Sequence, residues 1–417
     1  GGTARSSLNR ICRESERSLP PQSRAAARWA LLAGNFVIGC GVMVVGGTLN
    51  DLTRSLNISV TQGGHLIAIA AIMMGVGAPL LASLVAGMDR RRLLTWTMVW
   101  FALGHALCAW APNYEWLWPF RALTVLSAAV FTPQAAATVG FMSTPAHRGR
   151  AITFVFMGWA IASVAGMPLA AWVGERLGWR VAMSMIAVAS LVAAVLVHRY
   201  LPKGIRPPAL SLRAWRKVLQ SPLLMMVVVV TLLQSAGQFT VLAYAAPHYK
   251  TVYDASPEQI SLMFGYFGAL ALAGNLVLNR VIDRVGAAQA VTTTLALIAA
   301  SLALWPLGST LPLLALVILP WSLSGFATNS GQQARLGGLS PRLAPALMAL
   351  NTSAIYLGHA LGASGGGMIL NHADTLRQGY QHLNWLGLLW MLAAWAASAW
   401  AWRRQRHHEE EPISPGG

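Results

Sequence analysis

The sequence predicts an all-α integral membrane protein with twelve transmembrane helices arranged as two six-helix bundles. Composition supplies the first observation: 55% of the 417 residues are hydrophobic, 10% are charged, and the mean hydropathy is +0.53. Soluble domains, by contrast, carry roughly 25% charged residues. The second observation is a series of apolar segments, each near the roughly 20 residues that a helix needs to cross a bilayer. The third is one long polar interval that divides this series into two equal sets.

Twelve segments meet the length requirement, and we number them span one to span twelve in chain order. Each begins and ends where a polar or basic cluster interrupts the apolar run. The first six spans are 28–49, 62–87, 93–111, 116–142, 151–173 and 180–201. The last six are 221–246, 259–281, 287–306, 311–333, 344–371 and 383–402.

Three polar segments lie outside the spans. The first is rich in Arg and Ser and is predicted to be a disordered tail in the cytosol. The middle one is the linker between the bundles, and residues 212–219 within it have the pattern of an amphipathic helix lying in the membrane interface. The predicted domains are a tail at 1–27, an N-terminal bundle at 28–201, a linker at 202–220, a C-terminal bundle at 221–402 and a tail at 403–417.

Lysine and arginine residues fall in short clusters between the spans. With the N-terminus in the cytosol, 24 of the 30 lie on the cytosolic side. The positive-inside rule therefore places both termini in the cytosol. The net charge of +17 follows from this topology, so we predict no nucleic-acid partner. The predicted location is the inner (cytoplasmic) membrane of a bacterium, as a multi-pass protein and a monomer.

The cysteines and histidines indicate neither a disulfide framework nor a metal site. Cys12, Cys40 and Cys108 are odd in number and far apart. None of the ten histidines has a Cys, His or Asp partner at metal-ligand spacing. We therefore predict no metal and no cofactor. We also predict no enzymatic activity, because intramembrane catalysis needs clustered nucleophile, base or metal ligands.

Arg121 lies inside span four, six residues from its start. A charge in hydrocarbon costs roughly 2.5–3.5 kcal/mol on insertion scales, so such a residue indicates a functional site. Helical spacing places Thr124, Ala128 and Thr132 on the same face, which suits the wall of an aqueous cavity. The alternative is a side chain that snorkels to the outer interface.

Basic turns occupy corresponding places in the two halves. After span two comes Gly87-Met-Asp-Arg-Arg-Arg92, and after span eight comes Asn279-Arg-Val-Ile-Asp-Arg-Val-Gly286. Paired halves of this kind are typical of transporters built from internal repeats. Charge pairs at such a turn can bias an equilibrium between inward-facing and outward-facing states. For the first copy, the alternative is that its arginines only fix the topology.

With these motifs the chain resembles the major facilitator superfamily, in its twelve-span branch of drug and sugar exporters that includes arabinose-efflux-permease-like proteins. The resemblance covers residues 28–402 and implies the major facilitator fold. Gly77-Ala-Pro79 with Arg90-Arg-Arg92 is similar to the signature between spans two and three, and Arg121 matches the arginine of the span-four motif. The span-five motif associated with exporters is matched by Gly158, Gly166, Pro168 and Gly174.

The chain departs from the family pattern at three places. Gly87 stands where an acidic residue is usual, and Asp89 follows it two residues later. Ala287-Ala288 replaces basic residues in the second copy, and Ala170-Ala171 replaces a glycine in span five. The resemblance implies gating by Asp89, Arg90, Arg91, Arg92, Asp283 and Arg284, and close helix packing at the span-five glycines and proline.

In this superfamily spans one, four, seven and ten, with two, five, eight and eleven, line a central cavity. The resemblance therefore makes the polar stripes on these spans candidates for a substrate wall. The alternative is that they join packed helices, as Asn and Gln often do in membranes. The candidate binding residues are Asn35, Arg121, Thr132, Gln234, Gln238, Trp321, Asn329, Gln332, Asn351 and Tyr356.

The resemblance implies efflux of a small neutral or amphipathic molecule, such as a sugar, nucleoside or drug, by alternating access in exchange for protons. Proton-driven exporters commonly use an intramembrane carboxylate, and the sequence places every Asp and Glu at or beyond the ends of the spans. The coupling candidates are therefore Asp51, within reach of Arg121, and His359. Uptake, uniport without proton coupling and a membrane-embedded sensor remain alternatives.

Overall fold

The computed structural model describes residues 21–58, 60–207 and 211–410, whose regular secondary structure is helical. Twelve helical spans follow one another in the predicted order. The first six are Pro21–Gly47, Val60–Val85, Arg90–Trp110, Tyr114–Met142, Arg148–Ile161 continued by Met167–Leu177, and Trp179–Tyr200. The last six are Pro222–Leu242, Pro257–Val285, Ala287–Ala303, Leu311–Val317 continued by Leu319–Leu339, Ala344–His372 and Leu376–Glu410.

Nine of these helices within the described ranges are long and apolar enough to cross a membrane, by length and composition. Span ten joins them when its two pieces, which bend by 44°, are taken as one. Span nine is apolar but only 17 residues long. Span eleven is less apolar because it carries Asn, Ser, His and several Gly residues. The layout is consistent with twelve spans, and the predicted all-α membrane fold is confirmed.

The predicted tails need correction where they are described. Span one begins at Pro21, seven residues before its predicted start, because proline suits the first turn of a helix and three alanines follow. Span twelve continues to Glu410 through Arg, Gln and Glu residues that favour helix. The rest of the two tails, 1–20 and 411–417, lies outside the described residues.

Three short α-helices lie between spans, besides two 3₁₀ turns at Trp305–Leu307 and Pro341–Leu343. Leu212–Gln220 is the predicted amphipathic helix of the linker, and the Ser211 hydroxyl caps it by accepting from the Ala214 N–H at 3.1 Å. Leu49–Leu56 follows span one, and Ala245–Tyr253 follows span seven. The last of these was predicted in part as the end of span seven, which instead stops at Leu242.

Span five contains a π-helical turn at Ala162–Gly166. The Met167 N–H bonds to the Ala162 carbonyl five residues back, and Pro168 has no N–H to offer the Val164 carbonyl. Loss of that donor is the usual reason for a widened turn beside proline. The interruption falls at the middle of the span, where the helix contacts both span one and span eight.

Glycines bring span five against span one. A Cβ at Gly158 would meet the Leu32 carbonyl oxygen, and one at Gly166 would meet the Cys40 sulfur. A Cβ at Gly174 would lie 2.8 Å from Cγ2 of Thr48. Pro168 itself is exposed. The seam between the two helices therefore depends on positions that lack a side chain.

The two ends of the bundle are distinguished by the linker between the halves. We call the end that carries the turns at 86–89, 143–147 and 340 and the linker 202–220 the linker side, and the opposite end the far side. The halves are joined by span five with spans eight and ten, and by spans two and four with span eleven. The largest core cluster spans both halves, packing Phe131 and Ile152 with Leu278 and Met348.

Candidate functional site

Asn35, Thr132 and Trp159 form a polar cluster near the middle of spans one, four and five. The Asn35 amide N–H donates to the Val155 carbonyl at 3.0 Å, and its oxygen accepts from the Thr132 hydroxyl at 3.0 Å. The Trp159 indole N–H donates to the same hydroxyl at 3.1 Å. Two of the predicted binding residues are thus brought together, with an indole that the sequence analysis did not include.

A longer hydrogen-bonded chain links spans seven and ten. The Trp321 indole N–H donates to Gln238 at 2.9 Å, and the Gln238 amide donates to Gln234 at 2.6 Å. The Gln234 amide in turn donates to Asn329 at 2.7 Å. We call these four residues the Gln–Trp chain. All four were predicted as binding residues, and Trp321 and Gln234 are buried.

Gln332 and Asn351 extend this polar region toward the linker side. The Gln332 amide donates to the Val227 carbonyl at 2.8 Å and to the Thr231 hydroxyl at 2.9 Å. The Thr231 hydroxyl donates to Asn351 at 2.5 Å. Both predicted residues are fully buried and turned to span seven, so their contacts join spans seven, ten and eleven as interhelical hydrogen bonds.

Arg121 is neither at the outer interface nor in the polar clusters. Its side chain is 1% exposed, and its guanidinium donates to the Gly41 carbonyl at 2.8 Å and the Val42 carbonyl at 3.1 Å on span one. A third contact joins Nη1 to Nε2 of His105 on span three at 3.2 Å. The snorkelling alternative is therefore wrong, and the cavity-wall orientation is corrected to the interior of the N-terminal bundle.

His105 completes the arginine site. Its Nδ1 lies 2.9 Å from the Phe101 carbonyl and therefore holds the ring proton, which leaves Nε2 to accept from Arg121. Gly41 permits the approach, since a Cβ there would lie 2.9 Å from the His105 ring. The sequence analysis did not select His105, although a histidine within an apolar span is itself a signal of an intramembrane polar site.

The predicted coupling residues lie apart from Arg121. Asp51 accepts from the Trp179 backbone N–H at 2.8 Å and pairs with Arg54 at 2.7 Å, so its expected contact with Arg121 is not made. Asp51 acts instead as a local cap at the far side. His359 stacks on Phe239 with ring centroids 3.5 Å apart, and Tyr356 meets its edge at 5.5 Å.

The two acidic turns have different partners. Asp283 accepts from the Arg150 backbone N–H of the other half, at 3.3 and 3.2 Å from its two oxygens. Asp89 accepts from the Gly204 N–H at 2.8 Å and the Arg92 N–H at 3.3 Å, both in its own half. Arg90 is also buried within that half. Between the described residues, no hydrogen bond or ion pair joins the first copy to the other half, as a gate would require.

Span eight carries a stripe of residues that the sequence analysis missed. The Asn279 amide donates to the Arg150 carbonyl at 2.7 Å and to the Thr153 hydroxyl at 2.9 Å, and the Asn275 amide donates to the Thr153 carbonyl at 3.4 Å. Together with Asp283 they form what we call the span-eight clasp on span five. Their spacing of four residues is the signal that identifies such a stripe.

Arg335 is a second correction to the sequence analysis, which counted it with a cytosolic turn. It lies within span ten, 3% exposed, and its guanidinium donates to the hydroxyl and the carbonyl of Ser398 on span twelve at 2.7 and 3.0 Å. Arg121 is thus not the only cation held inside the bundle.

Comparison with known proteins places these features in a family. The sequence profile of the Major Facilitator Superfamily matches residues 31–363 and 227–417. The chain belongs to the major facilitator superfamily. Among similar sequences is the Escherichia coli (strain K12) inner membrane transport protein YdhP, which is 29% identical over 344 residues, covering 82% of this chain and 88% of YdhP.

Solved structures of the superfamily share the fold. The human organic anion transporter MFSD10 (TETRAN) superposes with a TM-score of 0.73 at 16% identity, over 90% of this chain and 100% of that one. A bacterial homologue of the iron transporter ferroportin in an outward-facing state gives a TM-score of 0.73 at 13% identity, over 91% and 100%. This superfamily member is therefore a multi-pass inner-membrane transporter and not an enzyme, and its partners are a small-molecule substrate and the lipid bilayer.

Proposed function

We propose that this transporter exports small neutral or amphipathic organic molecules, such as sugars, nucleosides or drugs, by alternating access. The observation that carries the proposal is the asymmetry between the ends of the bundle. The cross-half contacts given below lie between the linker side and the middle of the membrane, and the far-side hydrogen bonds given below each stay within one half. Alternating access requires an end state of this form.

The closed end is built by the span-eight clasp and by the helices around it. The Ser353 hydroxyl on span eleven donates to the Gly75 carbonyl on span two at 2.5 Å. A Cβ at Gly337 on span ten would lie 2.9 Å from Ile152 on span five. Nearer the middle, a Cβ at Gly268 would lie 3.3 Å from Val164. These contacts support a seal that reaches about halfway across the bundle.

The far-side contacts keep to one half. In the first half, Arg180 donates to the Ala109 and Ala111 carbonyls at 2.9 and 2.7 Å. In the second, the Tyr253 hydroxyl donates to the Gly308 carbonyl at 2.5 Å. With the linker side in the cytosol, as the charge distribution predicts, these contacts favour an outward-facing state. The ferroportin homologue with which the chain superposes was solved in an outward-facing state.

The Asn35 cluster and the Gln–Trp chain supply the binding groups that we propose. Amide, hydroxyl and indole groups recognise hydroxyl- or amide-bearing molecules without demanding a charge, and Trp321 and Phe267, 5.9 Å apart in an edge arrangement, add an aromatic surface. When a substrate binds, its hydroxyl or amide replaces one protein group in these internal hydrogen bonds. Gln332 and Asn351 are assigned instead to holding spans seven, ten and eleven together.

Exchange for protons would need a titratable group within the membrane. The buried polar side chains of the described residues include no Asp or Glu, whereas a carboxylate is the usual carrier in proton-driven exporters. His359 is the remaining candidate, since it lies within span eleven beside Tyr356 and is only partly buried. The lack of a buried Asp or Glu among the described residues also favours a second candidate function, uniport without protons.

Transport by purified protein in proteoliposomes, with and without a pH gradient, separates the two functions. For exchange with protons, an imposed gradient drives a sugar, nucleoside or drug against its own gradient, and His359→Gln abolishes this accumulation while leaving equilibrative exchange. For uniport, the rate is indifferent to the gradient. Gln234→Leu removes substrate binding in either case, and Gln289→Leu, an exposed glutamine on span nine, is the matched control.

A further inference from the structure

A groove of about 680 Å³ opens on the linker side between the start of span three, the end of span six and the first residues of the linker. Its cationic lining consists of Arg91, Arg92, Lys203 and Arg206. The groove belongs to the N-terminal bundle alone and is separate from the polar clusters at mid-membrane. Its residues are not needed for the substrate site proposed above.

Four cationic side chains and one carboxylate, Asp89, line this groove, so most of its positive charge remains. Asp89, the acidic residue in the lining, uses one oxygen on the Gly204 N–H at 2.8 Å and the other on the Arg92 N–H at 3.3 Å. Arg91 points at His198, with Nη2 and Nε2 3.3 Å apart. No carboxylate of the described chain pairs with any of the four cations, whereas Arg54 is paired with Asp51.

The groove continues into an apolar face of span three. Trp96 and Val99 line its inner end. Further along the same helix, Leu103, Leu107 and Trp110 are exposed, at 61%, 45% and 68% of their surface. In a membrane this face contacts acyl chains, so one ligand can occupy both parts only if it joins an anionic head to a hydrocarbon tail.

We propose that the groove binds the headgroup of an anionic phospholipid, with the phosphate between the Arg91, Arg92, Lys203 and Arg206 side chains and an acyl chain along span three. Arginine pairs with phosphate oxygens through charge-assisted hydrogen bonds, and basic pockets between membrane helices select anionic headgroups. The second half has Ala287 and Ala288 at the start of span nine, where these arginines stand in the first. One such site is therefore expected for each chain.

Native mass spectrometry of the detergent-solubilised protein tests the proposal, with phosphatidylglycerol and phosphatidylcholine of equal chain length as probes. Arg91→Gln combined with Arg92→Gln is expected to weaken the tightest phosphatidylglycerol adduct at least about tenfold. The control combines Arg213→Gln with Arg216→Gln on the linker helix, which removes the same charge on the same side. It leaves that adduct unchanged.

Three results would overturn the proposal. The first is that the control variant loses the phosphatidylglycerol adduct as much as the groove variant does. The second is that wild type binds phosphatidylcholine as tightly as phosphatidylglycerol. The third is full displacement of the lipid by millimolar glycerol phosphate, which would indicate a site for soluble phosphates. Thermal unfolding of both variants separates these outcomes from misfolding. If the groove variant does not fold, Lys203→Gln combined with Arg206→Gln, which alters only exposed side chains of the linker, replaces it and must lower affinity likewise.

Discussion

Arg121 is a guanidinium buried among neutral acceptors. Its partners are two span-one carbonyls and the unprotonated nitrogen of His105. A buried cation keeps its charge at a moderate cost only if its donors are largely satisfied. The site provides three acceptors for the two terminal nitrogens, while Nε has no partner among the described residues. The residue therefore fastens spans one, three and four, and substitutions act on the architecture of the N-terminal bundle as well as on transport.

Removal of Arg121 is expected to lower both stability and transport by more than the loss of its charge alone would. Arg121→Ala leaves Nε2 of His105 without a donor, at about 1–3 kcal/mol, and removes the bonds that join spans one, three and four, so it should abolish transport. Arg121→Lys retains a charge but not the planar fork, and should retain part of both stability and transport. Thermal unfolding and transport assays measure the two effects. Normal transport by the Ala variant would remove Arg121 from the transport machinery.

The acceptor role of His105 can be tested separately. His105→Gln keeps a side-chain oxygen that can accept from Arg121, whereas His105→Leu does not. We expect the Leu variant to unfold at a clearly lower temperature and the Gln variant to lie near wild type. His65→Leu, at an exposed histidine of span two, is the control and should be neutral. Equal unfolding temperatures for the Gln and Leu variants of His105 would contradict the hydrogen bond.

His248 predicts an acid-sensitive far side. It lies in Ala245–Tyr253, outside the spans, and is 2% exposed. Burial lowers its pKa to about 4, against about 6.5 in an unfolded chain. The folded state binds this proton less readily than the unfolded chain does. The contribution of His248 to the free energy of unfolding is therefore fully present above pH 6.5 and is lost as the pH drops toward 4.

The expected result is a decrease of a few degrees in unfolding temperature between pH 6.5 and 4 that His248→Phe reduces. The ring is packed against Trp305 and Tyr380, at 5.4 and 5.9 Å between centroids, and phenylalanine can occupy the same place. His382→Phe, at an exposed histidine of span twelve, is the control. An identical pH profile for wild type and His248→Phe would show that another group controls acid stability.

At the scale of elements, the packing of span five against span one depends on its glycines. Gly166 faces the sulfur of Cys40, a side chain, while Gly158 faces backbone atoms, with a Cβ placed 2.6 Å from the Phe36 nitrogen. Side chains can be shortened, whereas backbone cannot be moved without shifting span one. Both glycines belong to the same sequence motif, but a substitution at Gly158 is expected to destabilise the protein more than one at Gly166.

The difference gives a double-substitution test. Gly166→Ala should destabilise by about 1–3 kcal/mol as an overpacked contact. In a Cys40→Ala background the nearest of these contacts left to the new Cβ are the Cβ and Cα of residue 40, at 3.4 and 3.5 Å, so most of that cost should disappear. Gly158→Ala should be as harmful in either background. Unfolding temperatures of the single and double variants measure the coupling, and an absence of rescue at Gly166 would refute the packing account.

Much of the fold could be predicted from the sequence because membrane spans are set by local composition. Span four was predicted at 116–142 and is Tyr114–Met142, and span six was predicted at 180–201 and is Trp179–Tyr200. The π turn of span five could not be anticipated from apolarity, because it depends on hydrogen bonds around Pro168. The continuation of span twelve to Glu410 was missed because polarity was taken to end the helix.

The site was predicted less well, because helical spacing gives the face of a residue but not the helix that this face meets. Gln234, Gln238, Trp321 and Asn329 were selected as separate stripes, and only the structure joins them into one chain. Arg121 was assigned to a cavity although its face meets His105. Such long-range pairings depend on how the twelve helices are arranged, which a single sequence does not specify.

At the scale of the whole molecule, we propose that the span-eight clasp holds the linker side closed. Asn275, Asn279 and Asp283 bind the first two turns of span five. Together with the bond from Ser353 to Gly75, they join the two halves by side chain to backbone hydrogen bonds. Opening of the linker side must break these bonds. Asp89, at the corresponding turn, bonds only within its own half, which makes it a matched control.

Pulsed electron paramagnetic resonance across the halves tests this claim most directly, with spin labels in a background free of Cys12, Cys40 and Cys108. One pair is at Ala146 and Arg342 on the linker side, and the other at Ser55 and Gln378 on the far side; all four residues are exposed. For Asp283→Ala the account predicts a new, longer linker-side distance together with a shorter far-side distance, and for Asp89→Ala the wild-type distributions. Unchanged distances in Asp283→Ala, or an equal shift in Asp89→Ala, would contradict it.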